Sequence, residues 1–514
     1  MRTWHIDTGE RREPHSCARI WSIPAGISIV ALGNFLIATL LLSAWMMPCR
    51  VDAQVPDRSK PPAAGPPPSL KLPPIKHMQL SNGLRVLVLE KHTVPLVQIN
   101  MVANTGSAME TTEKAGLASL LAAIMTDGAG QRDALQLADA IDYLGASLRV
   151  TAGQHTTGVA LFTPVVRLDS ALALMADVVL RPTFPQTDLD RHRKERLTML
   201  LQWRDQPSAL VSVIFNRTLY GTEHPYGRPS VGDERSLRSL RRDDLKEFYD
   251  TWFRPNNATI IVVGDVTAQA IGSKLETAFG KWRSAKLPVN HLPPVVQVKS
   301  REVFIVDKPG AAQTEIRIGC IGVPRQTPDY YAITVMNTLL GGSFMSRLNN
   351  NLREIHGYTY GAHSSFVFRP QAGPFLAFAA VQTAVTDSAI GEFMKELKGI
   401  RLPVADSELV RARNYVALSL PGDFQSVTQI AAQLEELVIY NLPDDYFNTF
   451  TGTILSVTAA DLERVAQRTI DPDRLVIILV GDRQQIETKV KALNLGPVHS
   501  LTVQDVLGQA PVVQ

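Results

Sequence analysis

The chain has 514 residues, 45% hydrophobic and 20% charged, which is long enough for two or more packed domains and too apolar for a disordered protein. Its 52 basic and 49 acidic side chains leave a net charge of +3, which excludes the strong field of a nucleic-acid or anionic-membrane binder. Partner choice must therefore come from shape and local chemistry.

Arg11, Arg12 and Arg19 precede an apolar run from about Ile23 to Met47, and Val51-Asp52-Ala53 ahead of Gln54 fits a small-residue cleavage site. Residues 1–53 read either as a signal peptide or as an uncleaved membrane anchor, because the run is long enough to span a bilayer. Both place the body of the protein in the periplasm or outside the cell, and the second ties it to the inner membrane. Residues 54–75, QVPDRSKPPAAGPPPSLKLPPI, are too rich in proline for a helix or central strand and form an extended tether. Outside the leader region the sole cysteine is Cys320, in the apolar run EIRIGCIGV, where a buried small hydrophobe is expected rather than a nucleophile.

The body divides into two halves, 76–283 and 301–500, with a Pro-containing connector at 284–300 and a tail at 501–514. The first half opens with LSNGLRVLVLEKH, two strand-like runs around Asn82-Gly83, and then PLVQINMVANTGS, a third. Leu168, Leu172, Met175 and Val179 recur at helical spacing before Pro182. In the second half REVFIVDK and EIRIGCIGV read as strands and DYYAITVMNTLLGG as a helix. The halves are related by a repeat. DLKEFYDTWFRPNNATIIVVGDV (244–266) aligns without a gap on DLERVAQRTIDPDRLVIILVGDR (461–483), pairing Asp244 with Asp461, Pro255 with Pro472 and Gly264 with Gly481, each 217 positions apart. The expected fold is α+β: two homologous sandwich halves, each a mostly antiparallel sheet with helices packed on one face.

Four segments carry a family resemblance: LSNGLRVLV, NTGSAMETTEKAGLASLL, LYGTEHPYGRPSVG (219–232) and GGSFMSRLNNNLREIHGYTYG (341–361). Together they resemble the two-domain members of the pitrilysin/insulinase metallopeptidases, the group that includes mitochondrial processing peptidase. The family's inverted zinc motif, H-x-x-E-H, supplies two ligands and a general base from one helix. Laid on Gly116-Leu117-Ala118, it puts Ser119 and Ala123 at the ligand histidines and Ala122 at the base. The third ligand, a Glu some seventy-six residues further on, falls on Met199. None of these side chains is a zinc donor, and no H-x-x-x-H spacing elsewhere offers a replacement. The apolar helix GLASLLAAIM is expected to pack without buried charge.

The family's substrate-side pattern, R-E-x-x-G-x-x-Y, is intact. It places Arg353 and Tyr360 with Glu354 and Gly357, behind a turn at Gly341-Gly342. The resemblance implies that Arg353 contacts substrate backbone and that Tyr360 donates to the oxygen on which negative charge develops, with Gly341, Gly342 and Gly357 shaping the substrate-binding segment. A chain with this half of a catalytic constellation and without the metal is expected to be the noncatalytic, substrate-binding subunit of an exported heteromeric peptidase, inactive alone. The partner is then a homologous subunit carrying H-x-x-E-H and the zinc, and the substrates are peptides. The alternative is a pseudoenzyme used for binding or assembly, without proteolysis.

Overall fold

The computed structural model describes residues 70–512, which fall within one compact unit. The leader and most of the tether lie outside the described residues. No helix among the described residues is long and apolar enough to cross a membrane.

The first half contains β1 (Lys76–Gln79), β2 (Arg85–Glu90), β3 (Leu96–Ala103), the short pair β4 (Gly128–Ala129) and β5 (Arg132–Asp133), β6 (Ser147–Ala152), β7 (Thr157–Pro164) and β8 (Ala258–Gly264). Six of these form a sheet in the order β1-β2-β8-β3-β7-β6. The second half contains β9 (Glu302–Asp307), β10 (Gln313–Ile321), β11 (His363–Phe366), β12 (Pro374–Gln382), β13 (Val476–Gly481) and β14 (Val498–Leu501), in the order β11-β12-β10-β13-β9-β14. In each half the closing strand inserts between the two long opening strands. It runs parallel to the first (β8 on β2, β13 on β9) and antiparallel to the second (β8 on β3, β13 on β10). The remaining pairings are antiparallel except β14 on β9, so both sheets are mostly antiparallel, as expected.

The sequence repeat is a structural repeat. Helices Arg242–Trp252 and Ala459–Thr469 occupy equivalent positions, and the paired aspartates do the same work. Asp244 accepts the Arg241 N–H at 2.7 Å and Asp461 accepts the Thr458 N–H at 3.1 Å, each satisfying a donor at its helix start. The strands that follow, ATIIVVG and VIILVG, are buried at every position. A run without alternation belongs to a strand covered on both faces.

That second cover was not legible in the sequence. One face of the first sheet carries its own helices, with Val86, Val88, Ile99 and Met101 in one core with Leu121, Leu172 and Met175. Residues of alternate register, Leu87, Leu89, Val102, Ile261 and Val263, instead join the core that holds Leu434 and Leu437, from helix Val427–Tyr440 of the other half. The second sheet is treated reciprocally: Val306, Val476, Ile478 and Val480 pack on Leu210, Val211, Ile214, Phe215 and Leu219 of helix Pro207–Tyr220. Each half therefore lends a helix to the other. With about 1.5–3 kcal/mol gained per buried large apolar side chain, the exchange makes the halves one folding unit. The chain end returns to the first half as well: Arg217 Nη1 donates to Val506 O at 3.0 Å and Arg204 Nη1 to Gly508 O at 2.9 Å.

Candidate functional site

Helix Leu117–Ile124 carries the expected ligand positions and is entered through Gly116 at φ +93. A Cβ at Gly116 would stand 2.6 Å from Val231 O, so only glycine lets the helix start meet the 229–232 loop this closely. Ala122 is buried, and Ser119, Ala123 and Met199 are partly buried. Ser119 is committed to protein: its hydroxyl donates to Ser230 O at 2.6 Å and accepts from Arg196 Nη1 at 2.7 Å. Arg196 projects from helix Gln186–Trp203, the same helix as Met199, and its guanidinium also donates to Val231 O at 3.2 Å.

The expectation that this helix packs without buried charge is incorrect. Glu110 is buried at the helix start, where its two carboxylate oxygens accept the N–H groups of Gly116 (2.9 Å) and Ala118 (2.6 Å). Burial pushes its pKa up to about 7, against the pull of these two donors and of nearby Arg228 and Arg196. Burial also lowers Arg196, to about 10, with Glu110 opposing. The helix start therefore holds a buried carboxyl, whose oxygens serve two of the four N–H groups that need acceptors there, with a partly buried guanidinium nearby. Zinc does not fit this locus: Ser119, Ala122, Ala123 and Met199 bring no set of donors, and a guanidinium approaches where cation repulsion would oppose a metal. Among the described residues no group of three His, Cys, Asp or Glu side chains is arranged to hold a metal ion.

The Arg353–Tyr360 segment is built differently. The helix that starts at Tyr330 widens into a π-turn over Thr338–Gly342, and the short helix Arg347–Asn349 continues as a second π-turn over Asn350–Ile355. Such widened turns are uncommon and concentrate at functional sites. Arg347 anchors the segment with two parallel bonds to Glu408, at 2.9 and 2.7 Å. Asn349, buried, ties it to both flanks: its amide donates to Phe344 O at 2.8 Å, and its carbonyl accepts Ala362 N–H at 3.2 Å. Asn351 donates to Glu392 at 2.8 Å and Glu396 at 2.7 Å. Gly341 leaves no room for a side chain, since a Cβ would run into the backbone of Ser364. Gly342 faces Asn337 in the same way, and Gly357 takes the left-handed φ of +64 that ends the turn.

From this scaffold Tyr360 and Arg353, the expected substrate-side residues, reach the surface to different extents. Tyr360 is 91% exposed. Arg353 lies with its guanidinium carbon 4.6 Å from the ring centre of Phe344 and has Glu354 3.5 Å from its Nε. Phe344, Met345 and Ile355 are exposed large apolar residues of the same segment. The contacts described for Arg353 stay within the second half and those of Ser119 within the first, so the chain does not join its two half-sites through them.

Nothing in the spacing of the run Asn349-Asn350-Asn351 assigns Asn349 and Asn351 these roles. Arg196 and Glu110 gave no sequence signal, since isolated charges on helices are ordinarily solvated. Cys320 is buried with its thiol pushed up to about 12 by burial, which agrees with an inert core residue.

Residues 85–229 match the family model described as insulinase (peptidase family M16), and residues 239–416 match the one described as peptidase M16 inactive domain. Among curated proteins, the uncharacterized zinc protease YmxG of Bacillus subtilis is 25% identical over 396 residues, covering 76% of this chain and 94% of that one. A solved structure of a peptidase M16 inactive domain from Pseudomonas fluorescens superposes with a TM-score of 0.75 at 24% identity, over 79% of this chain and 98% of that one. A chain of complex III2 from Candida albicans superposes at 0.68 with 15% identity, over 81% and 99%. These two structural likenesses establish the shared fold.

Proposed function

The chain belongs to the insulinase (M16) peptidase family, and from that premise we propose that it is the substrate-binding, noncatalytic subunit of an exported heteromeric zinc peptidase. The observation that carries this reading is the contrast between its two half-sites. Ser119 is bonded to Arg196 and Ser230 in the place where metal ligands are expected, whereas Tyr360 and Arg353 are presented outward by a buried scaffold.

A homologous partner with H-x-x-E-H would supply the metal and the attacking water. The work of this chain is recognition and charge stabilisation. Arg353 offers planar donors to carbonyls of an extended peptide, and the Tyr360 hydroxyl donates to the carbonyl oxygen as negative charge builds on it. Strand β11 starts three residues after Tyr360 and is the edge of its sheet among the described residues, with β12 on one side and Asn337 and Gly341 against Ser364 on the other.

The test is reconstitution. The purified chain, a co-purifying H-x-x-E-H homologue and the mixture are each assayed for zinc content and for cleavage of a quenched peptide library. Cleavage that rises only in the mixture supports the reading. Zinc-dependent cleavage by this chain alone refutes it, and a stable but inert mixture favours the assembly role instead.

A further inference from the structure

A cavity of about 510 Å³ lies between the halves, lined among others by Gln154, Trp203, Ser208, Asn216 and Ser230 from the first half and by Arg317 from β10 of the second. It adjoins the degenerate metal helix, because the carbonyl of Ser230 is the acceptor of the Ser119 hydroxyl. Part of its polar lining is uncommitted, whereas Arg228, the second cation there, donates to Thr112 Oγ1 at 2.7 Å and to the carbonyls of Glu110 and Glu223. Ser208, Asn216 and Gln154 make no side-chain hydrogen bond among the described residues. Ser212, one turn along helix Pro207–Tyr220, is used up: it donates to Ser208 O at 2.7 Å and accepts from Arg317 Nη1 at 2.8 Å.

Arg317 is the unusual member. It is only partly exposed, and its guanidinium carbon sits 5.7 Å from the ring centre of Phe215 and 6.0 Å from that of Phe378. The Ser212 bond is its one described hydrogen bond, and no carboxylate among the described residues lies within ion-pair distance of it. Glu315, two residues earlier and on the same face of the strand, acts on it only at longer range. A half-buried guanidinium has lost much of its hydration and here has only the longer-range attraction of Glu315, with its Nε buried and unbonded, an arrangement that an entering anion would complete. The two rings hold the fork in place, so a carboxylate entering the cavity meets a preorganised cation beside unused hydroxyl and amide groups.

We propose that this cavity is a specificity subsite that receives an acidic side chain of the bound peptide, with Arg317 as its pairing cation. The assignment of a peptide rests on the reading of the chain as a peptide-binding subunit. Its consequence is a preference for substrates with Asp or Glu at one defined distance from the bond presented to Tyr360.

The test measures binding by the full chain alone, without partner or zinc, so it is independent of any cleavage assay. Acetylated and amidated Ala-Ala-Glu-Ala-Ala and its Gln counterpart are titrated calorimetrically. The Glu peptide is expected to bind about tenfold tighter or better, Arg317→Gln to bring both peptides to the weaker value, and Arg317→Lys to fall between. Asn216→Asp leaves Arg317 in place and puts a competing carboxylate in the cavity, so it too should erase the preference. Thermal unfolding of each variant establishes that it is folded. Equal affinities in the wild type, or a Glu preference that persists in folded Arg317→Gln, would overturn the subsite. Free glutarate binding as tightly as the Glu peptide would overturn its assignment to a peptide. Should the mixed complex fail to cleave while the Glu preference holds, the site stands and the proteolytic reading falls.

Discussion

Arg196 Nη1 donates to Ser119 Oγ over 2.7 Å, so the side chain at the first expected ligand position is held by a guanidinium from the helix that should carry the third. The expected metal locus is thus occupied by a polar contact within the protein. Restoring donors with Ser119→His, Ala122→Glu, Ala123→His and Met199→Glu should give weak zinc binding while Arg196 stays, since a fixed cation opposes the metal. Adding Arg196→Leu should tighten zinc by about tenfold or more, a typical size for a neighbouring-shell change. Competition with a chromophoric chelator measures both; equal affinities would show that Arg196 does not bear on the locus.

Glu110 gives the protein a pH dependence of unusual sign. Its folded pKa is raised from 4.5 to about 7 by burial, so between these values the folded state holds a proton that the unfolded chain releases. The stability it contributes is fully present below about pH 4.5 and is lost as pH rises through about 7, on the order of 3 kcal/mol in all. Urea unfolding at pH 5 and pH 8 should show the loss. Glu110→Gln should flatten it: the variant should lose about 1–3 kcal/mol at pH 5, because an amide presents a donor to one of the two helix N–H groups, and about 2–3 kcal/mol less than that at pH 8, where the wild type has itself lost the contribution.

In the reconstituted complex, Tyr360→Phe should lower turnover by about a hundredfold, the scale for loss of one donor to a developing oxyanion, with assembly intact. Arg353→Ala should act chiefly on KM, by about tenfold, through lost ground-state contacts. Because Tyr360 is 91% exposed, its melting temperature should stay within about a degree of wild type. Wild-type kinetics in both variants would remove these residues from the substrate side.

The reciprocal helix exchange predicts a single unfolding transition for the two halves. Phe215, fully buried in the first half's helix against the second half's sheet, should cost about 3–5 kcal/mol when changed to Ala, and the loss should register in probes of both halves. Residues 76–283 expressed alone should aggregate, because one sheet face is uncovered. Co-expression with 301–512 should restore a soluble pair, as size-exclusion chromatography would show.

Two glycines of the substrate segment should respond unequally. Gly357→Ala meets no atom and pays only for the left-handed φ of +64, about 1 kcal/mol. Gly341→Ala forces a Cβ into the Ser364 backbone and must displace either β11 or the π-turn. Its melting point should fall further, and in the complex it should impair turnover although the residue is buried.

The α+β class, the repeat and the ligand-free metal helix were all legible in the amino-acid sequence, because each depends on local spacing. Alternation and apolar runs mark strands, the 217-residue repeat marks the duplication, and Ser119, Ala122 and Ala123 carry no donors for zinc wherever the helix sits. What the tertiary structure alone decided comes from residues far apart in sequence. The unbroken apolar run of β8 called for a second cover, but nothing local identifies helix Val427–Tyr440 as that cover. Nor could spacing tell that Arg196 reaches Ser119, that Glu110 caps the same helix, or that Asn349 and Asn351 hold Arg353 and Tyr360 in place. The pattern of a chain records which of its faces must be buried, whereas the partner that buries each face is chosen by long-range packing, where the free energy of association and not the local conformation discriminates among alternatives.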